Sequence, residues 1–270
     1  MTVPTPSSED RRQFNTISGA WLISSPWRLI AIRLLIFAAF LAAWESASGS
    51  VLPRFWISSP SAISVVLWQW IVSGLIWGHL LATLTALAIG YAIGCTAGVT
   101  LGLFLGFFPR VDRTLAPFFA ALYALPNVAL APLFILVFGI GIESKVALVA
   151  LTVFLLLLYS TLDGVRDVDR DQTQALVLMG ATRTEIARKV LVPATLPWIF
   201  TGMRLAVRYA FAAVIVGELL AANQGIGFLI EHYSGNFNST GVFAAITVLV
   251  VCCVTILELL GRTESSTSMR

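Results

Sequence analysis

Residues 80–108 read LLATLTALAIGYAIGCTAGVTLGLFLGFF. The run carries no charge, and it is longer than the roughly 20 apolar residues that a helix needs to cross a bilayer core. Within it Gly90, Gly94, Gly98, Gly102 and Gly106 fall at every fourth position. At helical spacing these positions share a face, so one ridge of the helix has no side chains and another backbone can approach it closely. The ridge is a packing device with no chemistry of its own. The sequence leaves open whether the facing helix belongs to this chain or to a second copy.

The rest of the chain is similarly apolar. Hydrophobic residues make up 58% of it and charged residues 11%, against roughly 25% charged in soluble proteins. Spans are expected at 29–48, 80–108, 115–138, about 146–159, 198–222 and 242–260. Long apolar runs, not short alternating ones, point to helices. The expected fold class is therefore all-α, a polytopic membrane protein of about six transmembrane helices. Ala47, Ser48 and Gly49 give the first run a faint look of a cleaved leader. The polar stretch before it is long and many runs follow, so it reads as a retained span.

Orientation follows from the basic residues. With the N-terminus inside, Arg11, Arg12, Arg28, Arg110, Arg113, Arg166, Arg170, Arg183, Arg188, Lys189, Arg262 and Arg270 all fall on the cytoplasmic side. Only Arg54 and Lys145 fall outside. This predicts both termini in the cytoplasm, with 1–28 a cytoplasmic segment, 29–260 the membrane domain and 261–270 a tail. The net charge of +3 is scattered between apolar runs, which argues against a nucleic-acid partner. The cysteines lie in apolar runs and lack ligand spacing to either histidine, so no metal site is expected.

Several positions inside the runs stand out. Pro117, Pro126, Asn127 and Pro132 interrupt the third span. Interior prolines free backbone groups that must face protein or a watery path. The span is either a pathway-lining helix, with Pro126, Asn127 and Pro132 as candidates, or a simple kinked one. Glu218 lies late in the fifth span, facing a pathway or reaching the interface. Trp56, Trp68, Trp70 and Trp77 cluster around 62–77, which reads as an interfacial helix or a buried packing segment. Glu45 and Glu258 read as terminal.

The only long polar stretch is 163–197. Asp169 offers an N-cap with Gln172 three residues on, and Gly180 ends the helix so begun. Thr182-Arg183-Thr184-Glu185 is a second capping box, opening a helix with Ile186 and Val190 on one face. Pro193 is expected to stop that helix, and Pro197 to open the next span. A helix, a glycine joint and a short helix are too small for a domain but the right size for a groove on a partner. They also suit an amphipathic loop lying on the membrane.

The run Gln174-Ala175-Leu176-Val177-Leu178-Met179-Gly180-Ala181-Thr182-Arg183, then Val190-Leu191-Val192-Pro193 and Pro197, resembles the signature of permease subunits of bacterial ABC importers. His79 to Leu84, Leu125 to Pro132, Phe138 to Gly141, Gly217 to Leu219 and Gly225 to Ile230 look like the sulfonate, taurine and nitrate branch. The resemblance implies a type I importer-like permease in the bacterial inner membrane. It implies a second permease copy, two ATPase subunits that hold the ATP and magnesium, and a periplasmic or lipid-anchored binding protein. Gln174, Ala175, Met179, Gly180, Ala181, Thr182, Arg183, Glu185 and Ile186 would form the ATPase-coupling segment. The family's usual glutamate is Gln174 here, and its second alanine is Leu176. The solute would be small and anionic, such as an alkanesulfonate, taurine or nitrate, with a thiamine-precursor pyrimidine also left open. The chain has no G-x-x-x-x-G-K-[ST] loop, and its lysines are Lys145 and Lys189 alone, neither following glycine. It also lacks the commoner hydrolase motifs, so no catalytic residue and no bound cofactor are expected. One alternative is a carrier coupled to ions, which would want paired ionisable groups in the membrane, and Glu218 stands alone. The other is a non-transporting membrane scaffold, which would explain the glycine ridge but not the proline-broken third span.

Overall fold

A computed structural model describes residues 26–50, 53 and 55–267. Most of the 1–28 segment, with Arg11, Arg12, Arg54 and Arg270, lies outside the described residues. Among the described residues five helices are long and apolar enough to cross a membrane, and a bent pair would make a sixth if it forms one span.

Two compact units divide the chain at residue 62. The first contains α1 (Pro26–Ala47). Its end is hooked to the following turn, where the Trp44 indole donates to the Ser58 carbonyl at 3.0 Å and Ser48 to that of Ile57 at 2.9 Å. Glu45 accepts from the Ser61 backbone N–H at 3.0 Å and from its hydroxyl at 2.6 Å. A carboxylate at the first turn of α2 (Pro60–Val72) satisfies helix-terminal donors, so Glu45 is a helix cap and not merely a terminal charge.

The second unit is built on α6 (Ile142–Arg166), which lies between α3 (Leu75–Phe107) and α9 (Val192–Leu220). Leu148, Val149, Val153, Leu155, Leu157 and Leu158 of α6 are almost wholly buried. The glycine ridge explains why. A β-carbon at Gly90 would stand 2.7 Å from that of Val149; at Gly94, 2.6 Å from the Ala150 carbonyl; at Gly98, 2.7 Å from the Phe154 carbonyl. Gly102 and Gly106 meet Thr161 and Val165 at the same 2.7 Å. The facing helix therefore belongs to this chain. The far side of α6 repeats the device. Gly164 admits Trp198 and Thr195, and Gly202 of α9 admits Ser160. Tyr91 adds a bond across the bundle, donating to the Met203 carbonyl at 2.7 Å.

Three sequence expectations change. The tryptophan-rich stretch is not one helix, because a turn at Ser73 and Gly74 separates α2 from α3 and puts Trp77 on α3. The third span is broken, not kinked. α4 (Pro109–Ala124) keeps Pro117 inside and ends at Leu125, whose ψ of 133° is the extended backbone a residue before proline prefers. After the Pro126 corner a 3₁₀ turn (Asn127–Leu130) leads into α5 (Ala131–Phe138), bent by 83° from α4. Finally, Pro193 does not stop its helix. α8 (Arg183–Ile186) passes through a π turn (Ala187–Leu191) into α9, making 183–220 continuous. The wider turn carries Pro193 into the first turn of α9, where a missing N–H is tolerated, and Pro197 sits inside. The last helices are α10 (Ile226–Gly235) and α11 (Ser239–Thr267), both packed on α9.

A direct consequence concerns the ridge. Gly94→Ala pushes a methyl into the α6 backbone and is expected to lower stability by about 1–3 kcal/mol, read as unfolding in mild detergent. Gly78→Ala on the same helix, with open space at its β-carbon, should leave the unfolding midpoint unchanged.

Candidate functional site: an exposed hairpin and a helix junction

The polar segment forms a hairpin at the C-terminal end of α6. Asp169 accepts from the Asp171 N–H at 2.8 Å and opens α7 (Arg170–Leu178). The expected return bond from Gln172 is not among its cap contacts. The helix ends in two nested bonds, from the Gly180 N–H to the Val177 carbonyl at 3.0 Å and from Ala181 to Leu176 at 2.9 Å. Such an end needs a left-handed residue, and Gly180 has φ of 81°. Thr182 and Glu185 form the reciprocal box, with bonds of 3.3 Å and 2.9 Å. Glu185 also accepts from Lys189 at 3.4 Å.

The hairpin presents Leu178 and Met179 outward, 89% and 81% exposed, while Ile186 and Ala187 turn inward. Two large apolar side chains held out by a fixed turn can anchor in a complementary groove. Gln174, Ala175, Met179, Gly180, Ala181, Thr182, Arg183, Glu185 and Ile186 thus lie together on one hairpin. Gln174 lines a cavity of about 610 Å³ with Arg113 and Arg166. Arg166 is already paired with Asp112 at 3.0 Å. A glutamate at position 174 would add charge to that cluster; the amide keeps only hydrogen bonding.

The candidate pathway residues do not meet in one constellation. Pro126 makes the corner between α4 and α5, and Pro132 sits in the first turn of α5. The Asn127 side-chain oxygen is buried at that corner without a hydrogen-bond partner. Glu218 lies elsewhere, only 2% exposed. The Thr83 hydroxyl approaches its carboxylate oxygens at 2.8 and 3.0 Å, and the Gly227 N–H donates to it at 2.8 Å. The Thr83 oxygen in turn accepts from the Ile226 N–H at 2.8 Å, and His79 Nδ1 accepts from the Gly225 N–H at 3.1 Å. The start of α10 is therefore capped by side chains of α3 and α9. Glycine suits this junction twice, since Gly225 has φ of 125° and a β-carbon at Gly227 would lie 2.7 Å from that of Glu218. Sequence reasoning missed Thr83 and His79 as partners. Their four-residue spacing on one helical face was the available signal.

An apolar bundle, a polar hairpin at one end of α6 and a short helix capped by side chains at the other fit a membrane transport subunit. Residues 98–263 match the family described as binding-protein-dependent transport system inner membrane component. The chain belongs to that family.

Among similar permeases is the riboflavin transport system permease protein RibX of Chloroflexus aurantiacus, 39% identical over 87% of this chain and 87% of its own length. The formylaminopyrimidine transport permease protein ThiX of Halalkalibacterium halodurans is 35% identical over 80% of this chain and 86% of its own. The taurine transport system permease protein TauC of Escherichia coli is 31% identical over 71% and 69%. An inward-facing structure of the MetNI methionine ABC transporter covers 71% of this chain and 95% of its own, with a TM-score of 0.63. At 19% identity that likeness shows the fold, a type I ABC importer permease. The chain is thus the permease component of an ABC importer, and ATPase activity lies on a separate partner.

Thr83→Val tests the junction. It removes a donor from Glu218 and an acceptor from the Ile226 N–H, and should cost about 1–3 kcal/mol in detergent unfolding. Adding Glu218→Gln should cost less than the sum of the single changes.

Proposed function

We propose that two copies of this permease form the pathway of an ATP-driven importer and that each receives force through its α7–Gly180–α8 hairpin. The observation that carries this reading is the exposed Leu178–Met179 pair, held outward by the left-handed Gly180 and the Thr182–Glu185 box. Two partner ATPase subunits, holding ATP and magnesium, each seat one hairpin in a groove. Their nucleotide state then biases the permease between inward- and outward-open arrangements. In this reading both termini and the hairpin face the cytoplasm, as the placement of arginines favours. A periplasmic or lipid-anchored binding protein delivers solute at the opposite face.

The solute is proposed to be small and anionic, in the class of alkanesulfonates, taurine and nitrate. A second reading is a nitrogen heterocycle, favoured by the higher identity and coverage of the riboflavin and formylaminopyrimidine permeases. Uptake of labelled taurine against labelled riboflavin by the reconstituted importer separates the two.

Coupling is tested at the hairpin. Met179→Asp with Leu178→Asp leaves the backbone turn intact, whereas Gly180→Arg strains it. Both should lower ATP-driven uptake in proteoliposomes by at least about tenfold, since losing one buried anchor costs 2 kcal/mol or more. The permease should remain inserted and should no longer retain the ATPase on affinity purification. Normal uptake by these variants would refute the docking role.

A further inference from the structure

At the N-terminal end of α6 a cavity of about 600 Å³ is lined by Lys145, Ala82, Thr85, Ile142, Asn223 and Gln224. Its size is in the range of small-molecule sites. Lys145 is 9% exposed, and among the described residues no carboxylate lies within 4 Å of its ammonium group. Glu218 acts on it electrostatically, from beyond ion-pair distance. That carboxylate is already engaged by Thr83 and Gly227. Glu143, in the first turn of the same helix, is exposed. The Lys145 side chain is thus mostly buried, and among the described residues it forms no ion pair within 4 Å.

A cation buried at membrane depth is costly unless something pairs with it. The helix junction does not supply that partner. Resting on the importer reading, we propose that this cavity recognises an oxyanion group on the transported solute, with Lys145 as its cationic element. The Asn223 and Gln224 amides are two-way hydrogen-bonding groups at the rim. Thr85 donates to the Leu81 carbonyl at 2.7 Å and so offers the incoming group only an acceptor. Leu81, Ile140 and Ile142 provide apolar wall. This combination suits a small organic sulfonate or carboxylate with a short hydrocarbon body. The first turn of α6 adds the positive end of a helix dipole. Lys145 and Arg166 are separated by 21 positions of one helix, about 30 Å at 1.5 Å per residue. The cavity is therefore remote from the hairpin, at the end where the binding protein would deliver solute.

The test uses the full-length permease with its ATPase in proteoliposomes, after Cys95, Cys252 and Cys253 are replaced by alanine and Ala82→Cys is introduced as a reporter on the cavity wall. Two methanethiosulfonates of similar size, one carrying a sulfonate and one a trimethylammonium group, are compared, each normalised to its rate with a free thiol. The sulfonate reagent should be favoured by about tenfold, a conservative effect for a charge a few ångströms away. Lys145→Arg should keep that preference, and Lys145→Met, which preserves the side-chain stem, should abolish it. No labelling by either reagent, equal rates, or a preference that survives Lys145→Met would overturn the proposal. ATP-driven uptake by the same vesicles is a separate readout. Lys145→Met should raise KM for an organic sulfonate about tenfold, and Lys145→Arg should restore it. Unchanged KM would overturn the cavity proposal alone, whereas wild-type uptake that needs no ATP would overturn the importer reading.

Discussion

Backbone-to-backbone contact between α3 and α6 is the constraint on which the second unit depends. In lipid, apolar side chains gain little by leaving the solvent, so helices associate through close packing and polar contacts. Five glycines without side chains let α3 approach until its backbone touches the carbonyls of Val146, Ala150, Phe154 and Leu158. Gly164 and Gly202 extend the same economy of space to the α6–α9 contact. One long helix is thereby gripped on two sides along most of its length.

That grip gives the two ends of α6 a rigid relation. At one end Arg166 leads into the exposed hairpin; at the other, Lys145 packs against Gly217, the neighbour of Glu218. Packed helices respond to force as bodies and not by local bending. In the proposed importer, a push on the hairpin would therefore arrive at the delivery end as a displacement of whole helices. The junction there ties the start of α10 to both α3 and α9 by hydrogen bonds, so α10 moves with them. Lys145 lines the neighbouring cavity, with no carboxylate within 4 Å of its ammonium group among the described residues.

Much of the local structure was legible because its causes are local. The Thr182–Glu185 box and the Gly180 helix end depend on residues within a few positions of each other, and both form as their spacing suggests. The glycine repeat announced a close approach but not its partner. The errors arose where distant structure outweighs local preference. Pro193 breaks an isolated helix, yet a π turn and packing on α6 carry the chain through it. Glu218 read as a lone membrane charge because Thr83 and Gly227, which satisfy it, come from another helix and from beyond a loop.

The sequence by itself determined the solvent, the helical class, the glycine ridge and the shape of the hairpin, and its motif order pointed to the permease family. Each of these depends on composition or on neighbours along one chain segment. Only the tertiary structure decided that the ridge packs on α6, that the third span is broken by 83°, that Glu218 caps α10, and that Lys145 lines a cavity. Those facts depend on pairs such as Thr83 and Glu218, 135 positions apart. No periodicity within a single helix can specify such a meeting, because it exists only once the helices have packed.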